Sequence, residues 1–314
     1  MMLVNQTIDI EFILLGFREF REIQLLMFLI FLVIYAVTIT GNMIIIALIV
    51  INQNLHTPMY FFLGNLSFLE ACYVSNIFPQ MLSGFLTEDR RISFSRCITQ
   101  WYLFGSLEAT ECCLLCVMSY DRYTAICRPL YYATIMKTQT CVQLAAASWI
   151  NGFLLVSILL TLILHLTFCG NSEIDHYFCE YYPLLQVSCS DTSVLEATGF
   201  VLTGIFTLPP FLLTLVSYAY IIVAVLKIPS TTGRQKQKAF STCSSHLAVV
   251  SIFYGSLMIV YMLPKNEETM QKFSSLLYTA LPPLVNPFIY SLRNQEVNGA
   301  LKNNIGRLLQ CRVP

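Results

Sequence analysis

The sequence predicts an all-α membrane protein: a seven-transmembrane helix bundle followed by a short amphipathic cytoplasmic helix. The composition, the number of long apolar runs and the placement of basic residues lead to this prediction. Charged residues make up 11% of the 314 residues and hydrophobic residues 56%, whereas about a quarter of a soluble domain is charged. Because so little charge cannot cover this much apolar surface in water, lipid must surround most of the chain.

Seven apolar runs are long enough to cross a bilayer, which takes about 20 mostly apolar residues. Four of these spans are nearly uninterrupted: Gln24–Ile51, Val142–Leu166, Thr198–Leu226 and Phe240–Leu263. Three contain polar residues: Pro58–Leu86, Ile98–Ile126 and Phe273–Leu292. Continuous apolar runs exclude a transmembrane β-barrel, whose strands alternate. We expect a single domain over residues 1–314, with an extracellular N-terminus (1–23) and a cytoplasmic tail (293–314).

Basic residues set the orientation, because cytoplasmic loops are enriched in Lys and Arg. With the N-terminus outside, the cytoplasmic side has 11 basic residues and only two acids, Asp121 and Glu296, whereas the outer side has seven basic residues and 13 acids. We therefore predict a multi-pass protein of the plasma membrane with its N-terminus extracellular and its C-terminus cytoplasmic. The sequon at Asn5 would then be glycosylated.

Four of the 12 cysteines fall on the oxidising side: Cys97, Cys169, Cys179 and Cys189. An even number there favours disulfides, and spacing alone leaves three pairings open. His176 and Glu180 flank Cys179 and suggest a metal site, but a disulfide would remove the thiolate that such a site needs. We predict no metal site in this loop.

Acidic residues inside spans are costly and mark candidate functional sites. Glu70 and Glu111 lie at mid-depth in the second and third spans. Two facing carboxyls would share a proton or hold a cation such as sodium, while the alternative is that each is protonated and bonded to a neighbouring Ser or Asn. Glu108, three residues before Glu111, would point into an outward-opening cavity or be bonded within the bundle.

Two motifs occur near the predicted cytoplasmic surface. Asp121-Arg122-Tyr123 lies at the cytoplasmic end of the third span, and Asn286-Pro287 with Tyr290 lies in the seventh. Proline removes a backbone hydrogen bond and bends the helix, which suits a switch, and Asn286 would satisfy the freed carbonyls. The alternatives are a simple charge pair and a purely structural kink.

After the seventh span, apolar residues recur on one helical face, as in a helix lying on the inner membrane surface. These residues are Val297, Leu301, Ile305, Leu308 and Leu309.

Four segments, in order along the chain, carry a family resemblance. They are Leu55–Phe62 (LHTPMYFF), Met118–Tyr123 (MSYDRY) with Ala125-Ile126-Cys127, Lys238–His246 (KAFSTCSSH) and Pro287–Asn294 (PFIYSLRN). Along nearly its whole length the chain resembles the odorant (olfactory) receptors within the rhodopsin-like G-protein-coupled receptors. Phe253-Tyr254-Gly255 resembles the class II, tetrapod-type branch.

The resemblance implies a receptor, not an enzyme, that binds small volatile odorants and activates a stimulatory olfactory-type G protein, raising cAMP. It implies no nucleic-acid partner and, apart from the sodium ion considered above, no cofactor. It pairs Cys97 with Cys179 and Cys169 with Cys189. It also places an odorant pocket among helices three, five, six and seven, lined by Phe104, Gly105, Glu108, Leu202, Phe206, Tyr254, Leu257, Met258, Tyr261, Leu276 and Thr279.

The resemblance further implies that Arg122 docks the G protein when helix six swings outward. The resemblance and the two motifs together give eight candidate switch residues: Asp121, Arg122, Tyr123, Tyr218, His246, Asn286, Pro287 and Tyr290.

The chain departs from the family pattern in three places. Glu70 replaces the usual Asp, the third intracellular loop (Gly233–Lys238) is two residues longer, and Glu108 stands where small or apolar residues are frequent. An ionised Glu108 would favour amines and a protonated one neutral volatiles. Because burial disfavours the charged form, the sequence favours neutral odorants.

Three other functions fit the sequence less well. A transporter or channel lacks repeated halves, and a membrane enzyme lacks a His-rich or Ser/His/Asp constellation. Another small-molecule receptor of the same superfamily is the main alternative.

Overall fold

The structure, a computed structural model, describes residues 11–87, 90–168, 173–227, 233–262, 268–293 and 296–302. Asn5 and Cys169 lie outside these residues. The α-helices of the described residues are α1 (Gln24–Ile51), α2 (Pro58–Leu86), α3 (Phe94–Cys127), α4 (Pro129–Ile135), α5 (Thr138–Ile163), α6 (Tyr181–Gln186), α7 (Ser193–Lys227), α8 (Gly233–Met262), α9 (Glu268–Thr279) and α10 (Leu281–Arg293).

The helices form the predicted seven-helix bundle. Spans one to six are α1, α2, α3, α5, α7 and α8, while α9 and α10 together make the seventh. Within the described residues, α1, α2, α3, α5 and α7 are each long and apolar enough to cross a membrane, and α8 has a shorter apolar stretch, Cys243–Met258. The seventh span is interrupted at Ala280, next to Pro282 and Pro283, which cannot donate backbone hydrogen bonds.

The prediction for the third intracellular loop is wrong. Gly233–Lys238 was expected to be the third intracellular loop, but it forms the first turns of α8. Its residues Arg234, Gln235, Lys236 and Gln237 are good helix formers, so the sixth helix extends beyond its apolar stretch.

A small three-stranded sheet was not predicted. It consists of β1 (Glu11–Leu14), β2 (Arg91–Ser93) and β3 (Glu173–Ile174), in the order β2-β1-β3. β1 runs antiparallel to β2 and parallel to β3. Strands of two to four residues are too short to give a clear alternating pattern, which explains the omission.

The chain after β1 closes the same end of the bundle. Gly16 has a φ of 56°, a left-handed conformation that favours glycine. The turn directs Phe17 into an aromatic cluster, where its ring stacks on Tyr177 at 5.4 Å and on Phe31 at 6.0 Å. We call this end, which carries the sheet, the outer end, and the opposite end, which carries Arg122, the inner end.

The third helix is the centre of the bundle and packs against α2, α5 and α7. Its approach to α5 is close at Gly152, where a Cβ atom would lie 2.6 Å from the Ser106 carbonyl oxygen and 2.8 Å from the Thr110 nitrogen. Only glycine fits this position, so α5 lies directly against the outer half of α3.

The predicted amphipathic helix is described in part. Residues 296–302 are helical, and Val297 is buried. Tyr60 donates a hydrogen bond to Glu296 Oε2 at 2.8 Å, which attaches this helix to the inner end of α2. Ile305, Leu308 and Leu309 lie outside the described residues.

Candidate functional site

A cavity of about 220 Å³ opens toward the outer end of the bundle, between α3, α5, α7, α8 and α9. Glu180 and Tyr181, from the segment before α7, complete its wall. The remaining lining residues are Trp101, Phe104, Gly105, Glu108, Ala109, Cys112, Leu155, Val156, Leu159, Gly199, Thr203, Phe206, Thr207, Phe253, Leu257 and Tyr278.

Five of the residues predicted to line a pocket lie in this wall: Phe104, Gly105, Glu108, Phe206 and Leu257. Five others, Leu202, Tyr254, Met258, Leu276 and Thr279, lie elsewhere. The side chain of Tyr261 is outside the described part of the chain.

Local contacts explain these differences. The Tyr254 hydroxyl is 3.1 Å from Cys112 Sγ, and its ring packs on Phe211 at 4.7 Å. The Thr279 hydroxyl donates to the Ser275 carbonyl oxygen at 2.8 Å. Met258 is 41% exposed on the outside of the bundle.

The two leucines pack with other apolar residues instead. Leu276 lies against the main apolar core of the bundle, and Leu202 lies against a second apolar cluster at the outer end.

The fourth span also contributes to the cavity wall, which was not predicted. Leu155, Val156 and Leu159 of α5 line the cavity because Gly152 lets α5 approach α3. In the sequence, the one indication of this close packing is Gly152, a glycine within an apolar span.

The two carboxyls of the cavity differ in their partners. Glu180 Oε1 accepts a hydrogen bond from the Tyr278 hydroxyl at 2.6 Å, and its Oε2 lies 3.0 Å from His176 Nε2. No hydrogen bond or ion pair joins Glu108 to another residue that the structure describes. Of the two alternatives for Glu108, the structure therefore supports the cavity-facing one.

The segment before α6 forms the roof of the cavity and is firmly attached. Cys179 forms a disulfide with Cys97, as the resemblance implied, with a Cα–Cα distance of 5.4 Å. Lys272 Nζ of α9 pairs with Asp175 Oδ1 at 2.5 Å. Cys189 is also disulfide-bonded, and its expected partner, Cys169, lies outside the described residues.

His176 is held in this roof as a neutral side chain. Burial lowers its pKa, and this effect outweighs the opposing influence of Glu180. Its ring stacks on Tyr177 at 4.6 Å. The neutral imidazole can donate from Nε2 to Glu180 without cancelling the negative charge of that carboxylate.

A polar cluster lies deeper in the bundle. Asn286 Nδ2 donates to Glu70 Oε1, whereas Asn42 Nδ2 donates to the carbonyl oxygens of Pro283 at 3.3 Å and Thr38 at 3.1 Å. The expectation that Asn286 satisfies carbonyls freed by proline is wrong, because Asn42 binds the Pro283 carbonyl and Asn286 binds Glu70.

Several buried oxygens of this cluster have no hydrogen-bond partner among the described residues: Asn42 Oδ1, Glu70 Oε2, Glu111 Oε1 and Asn286 Oδ1. Oxygen donors of this kind suit a hard cation such as sodium. Glu70 and Glu111 are both buried inside the bundle, on the adjacent helices α2 and α3.

The predicted switch residues lie at the inner end. Arg122 Nη2 pairs with Asp121 Oδ2 at 2.5 Å, and the Tyr132 hydroxyl donates to Asp121 Oδ1 at 2.8 Å. The Tyr123 ring lies against Tyr220 with centroids 5.8 Å apart. These contacts hold the arginine at the end of α3.

The other predicted switch residues lie in helices five to seven. The Tyr218 hydroxyl bonds to His246 Nδ1, joining α7 to α8. Pro287 lies inside α10, and Tyr290 is buried with a hydroxyl that has no partner among the described residues.

Comparisons with known proteins agree with the resemblance. The olfactory receptor family matches residues 31–307. Human olfactory receptor 2AP1 is 44% identical over 97% of this chain and 99% of its own length, and mouse olfactory receptor 1M1 is 45% identical over 96% and 97%.

The crystal structure of squid rhodopsin superposes with a TM-score of 0.73 at 18% identity, covering 90% of this chain and 85% of that one, which shows the shared fold. With this fold and these relatives, the chain belongs to the olfactory receptor family of rhodopsin-like G-protein-coupled receptors.

Proposed function

We propose that the outer cavity binds small volatile odorants and that the occupied receptor activates a stimulatory olfactory-type G protein, raising cAMP. The observation that carries this proposal is the course of α3. The same helix lines the cavity with Phe104, Gly105 and Glu108 and carries the Asp121–Arg122 pair near its inner end. A ligand that prefers one arrangement of α3 would therefore shift the population of its inner end.

The size of the cavity suits a volatile molecule. An apolar cavity of about 150 Å³ is large enough for benzene, and this cavity measures about 220 Å³. It would admit a small aromatic or short aliphatic compound.

The same proposal places the outer end outside the cell and the C-terminus in the cytoplasm. The Cys97–Cys179 disulfide at the outer end supports this orientation, because disulfides persist in oxidising compartments. Glycosylation at Asn5 belongs to the same proposal.

Filling the cavity tests the function. Gly105→Leu adds a side chain to the cavity wall, and we expect it to reduce odorant-evoked cAMP by about tenfold or more, since overpacking costs about 1–3 kcal/mol. Gly204→Leu is the matched control, because Gly204 lies on α7 with open space around it and does not line the cavity. Equal responses from both variants at matched surface expression would contradict the proposal.

We also propose that Glu70, Glu111 and Asn286 hold a sodium ion in the deep polar cluster. The unpartnered oxygens of these three side chains support it. An ion there would favour the arrangement in which these oxygens converge, so raising sodium at constant ionic strength should lower basal cAMP. Glu111→Gln should weaken this dependence several-fold. A wild-type receptor whose basal cAMP is the same in sodium and in N-methylglucamine would rule the ion out.

A further inference from the structure

The acidic residues of the cavity wall are Glu108 and Glu180, so any net charge on the wall is negative. None of the described residues that line the cavity is Lys, Arg or His. An incoming ligand therefore meets two acidic groups and no fixed positive charge.

Nearby basic groups do not cancel this charge. Lys272 is already paired with Asp175. His176 contacts Glu180, but burial lowers the pKa of this histidine, so it is neutral at physiological pH. Glu180 accepts from both His176 and Tyr278, and two such donors suit a carboxylate.

Glu108 is the carboxyl that remains available to a ligand. It faces the cavity and makes no hydrogen bond or ion pair with another described residue. Removing a polar group from water without a hydrogen-bond partner costs free energy. A ligand that supplies the partner recovers this free energy on binding. A cation recovers more than a neutral donor, because its charge is also attracted by the carboxylates of the wall.

The rest of the wall is compatible with a cation. Trp101, Phe104, Tyr181 and Tyr278 provide aromatic side chains around the same space. Aromatic faces attract ammonium groups within about 6 Å of the ring centroid. The apolar part of a ligand can pack on Leu155, Val156 and Leu159 of α5.

We propose that this receptor is selective for small primary amines, bound as ammonium ions between Glu108 and Glu180, and that it discriminates against carboxylic acids. This proposal rests on the odorant-binding function proposed above. The ammonium donates its N–H groups to the two carboxylates. The same ammonium–carboxylate pair forms when a neutral amine accepts the proton of a protonated Glu108.

This proposal changes the preference that the sequence favoured. Burial of Glu108 alone argued for neutral odorants. The second carboxyl, Glu180, comes from the segment before α6 and is brought to the cavity by the Cys97–Cys179 disulfide. With both carboxyls in one wall, an amine is the ligand that matches the charge.

Three probes with one skeleton test the proposal: 2-phenylethylamine, 2-phenylethanol and phenylacetate. The full-length receptor is expressed in cAMP reporter cells, and the half-maximal concentration is measured for each probe. We expect the amine to act at a concentration about 30-fold or more below that of the alcohol, since a buried charge pair loses that much or more when one partner is removed. Phenylacetate should be the weakest.

Variants of Glu108 then test whether its carboxyl gives the preference for the amine. Glu108→Gln should abolish the preference for the amine over the alcohol, and Glu108→Asp should retain the preference. Glu22→Gln is the matched control, because Glu22 is exposed near the start of α1 and lies outside the cavity wall.

Two results would overturn the amine proposal. One is a wild-type receptor that responds to the alcohol or the acid as well as to the amine, and the other is an unchanged preference in Glu108→Gln at matched surface expression. Either result leaves the odorant-receptor function standing. By contrast, cAMP responses that are equal in wild type and Gly105→Leu would count against the cavity itself.

Discussion

Replacing Arg122 by alanine is expected to abolish odorant-evoked cAMP while the receptor still reaches the cell surface. Arg122 lies near the inner end of α3, and its guanidinium pairs with Asp121 at 2.5 Å. Its side chain is 16% exposed, and after its removal Asp121 keeps the hydrogen bond from the Tyr132 hydroxyl. The variant should therefore lose the coupling group rather than the fold, and the expected reduction is about 100-fold or more if a charge-assisted contact to the G protein is lost.

The control for this variant is Lys137→Ala. Lys137 is an exposed basic residue before α5, at the same inner end of the bundle. Its loss removes one positive charge without touching the Asp121–Tyr132 hydrogen bond. Normal cAMP production by Arg122→Ala at matched surface expression would show that another group couples the receptor.

The spans were predictable because each depends on a long apolar run. The limits of α1 and α2 agree with the sequence prediction, Gln24–Ile51 and Pro58–Leu86. The Cys97–Cys179 disulfide followed from the family resemblance, whereas the spacing of the cysteines left three pairings open. Long apolar segments are local features, but a pairing is a property of the folded chain.

The composition of the cavity was only half predictable. Glu108 was identified because a carboxyl within a span needs a polar environment. Leu155 and Val156 could not be identified, because apolar residues on a span are equally suited to lipid and to a cavity wall. Their position depends on the contact of Gly152 with α3. The hydroxyl contact that holds Tyr254 beside Cys112, outside the cavity wall, could not be predicted either, because it is a tertiary contact.

Loss of the Cys97–Cys179 disulfide should have an effect comparable to the loss of Arg122, but by a different route. The Cys179 N–H donates to Gln100 Oε1 at 2.9 Å, and Phe178 packs on Phe104 at 4.9 Å. The disulfide thus joins the segment that carries Glu180 to the outer end of α3. Without it, Glu180 leaves the cavity wall more readily and the bundle loses stability.

We expect Cys97→Ser to lower the free energy of unfolding by about 2–5 kcal/mol and to reduce both surface expression and odorant-evoked cAMP. Thermal inactivation of the purified receptor measures the stability directly. The Cys179→Ser variant and the double variant should show the same loss as Cys97→Ser, because each removes one bond. Cys72→Ser, which changes a free cysteine of α2, should leave stability unchanged. If Cys97→Ser retained wild-type thermal stability and amine response, the disulfide would not be what holds Glu180 in the cavity wall.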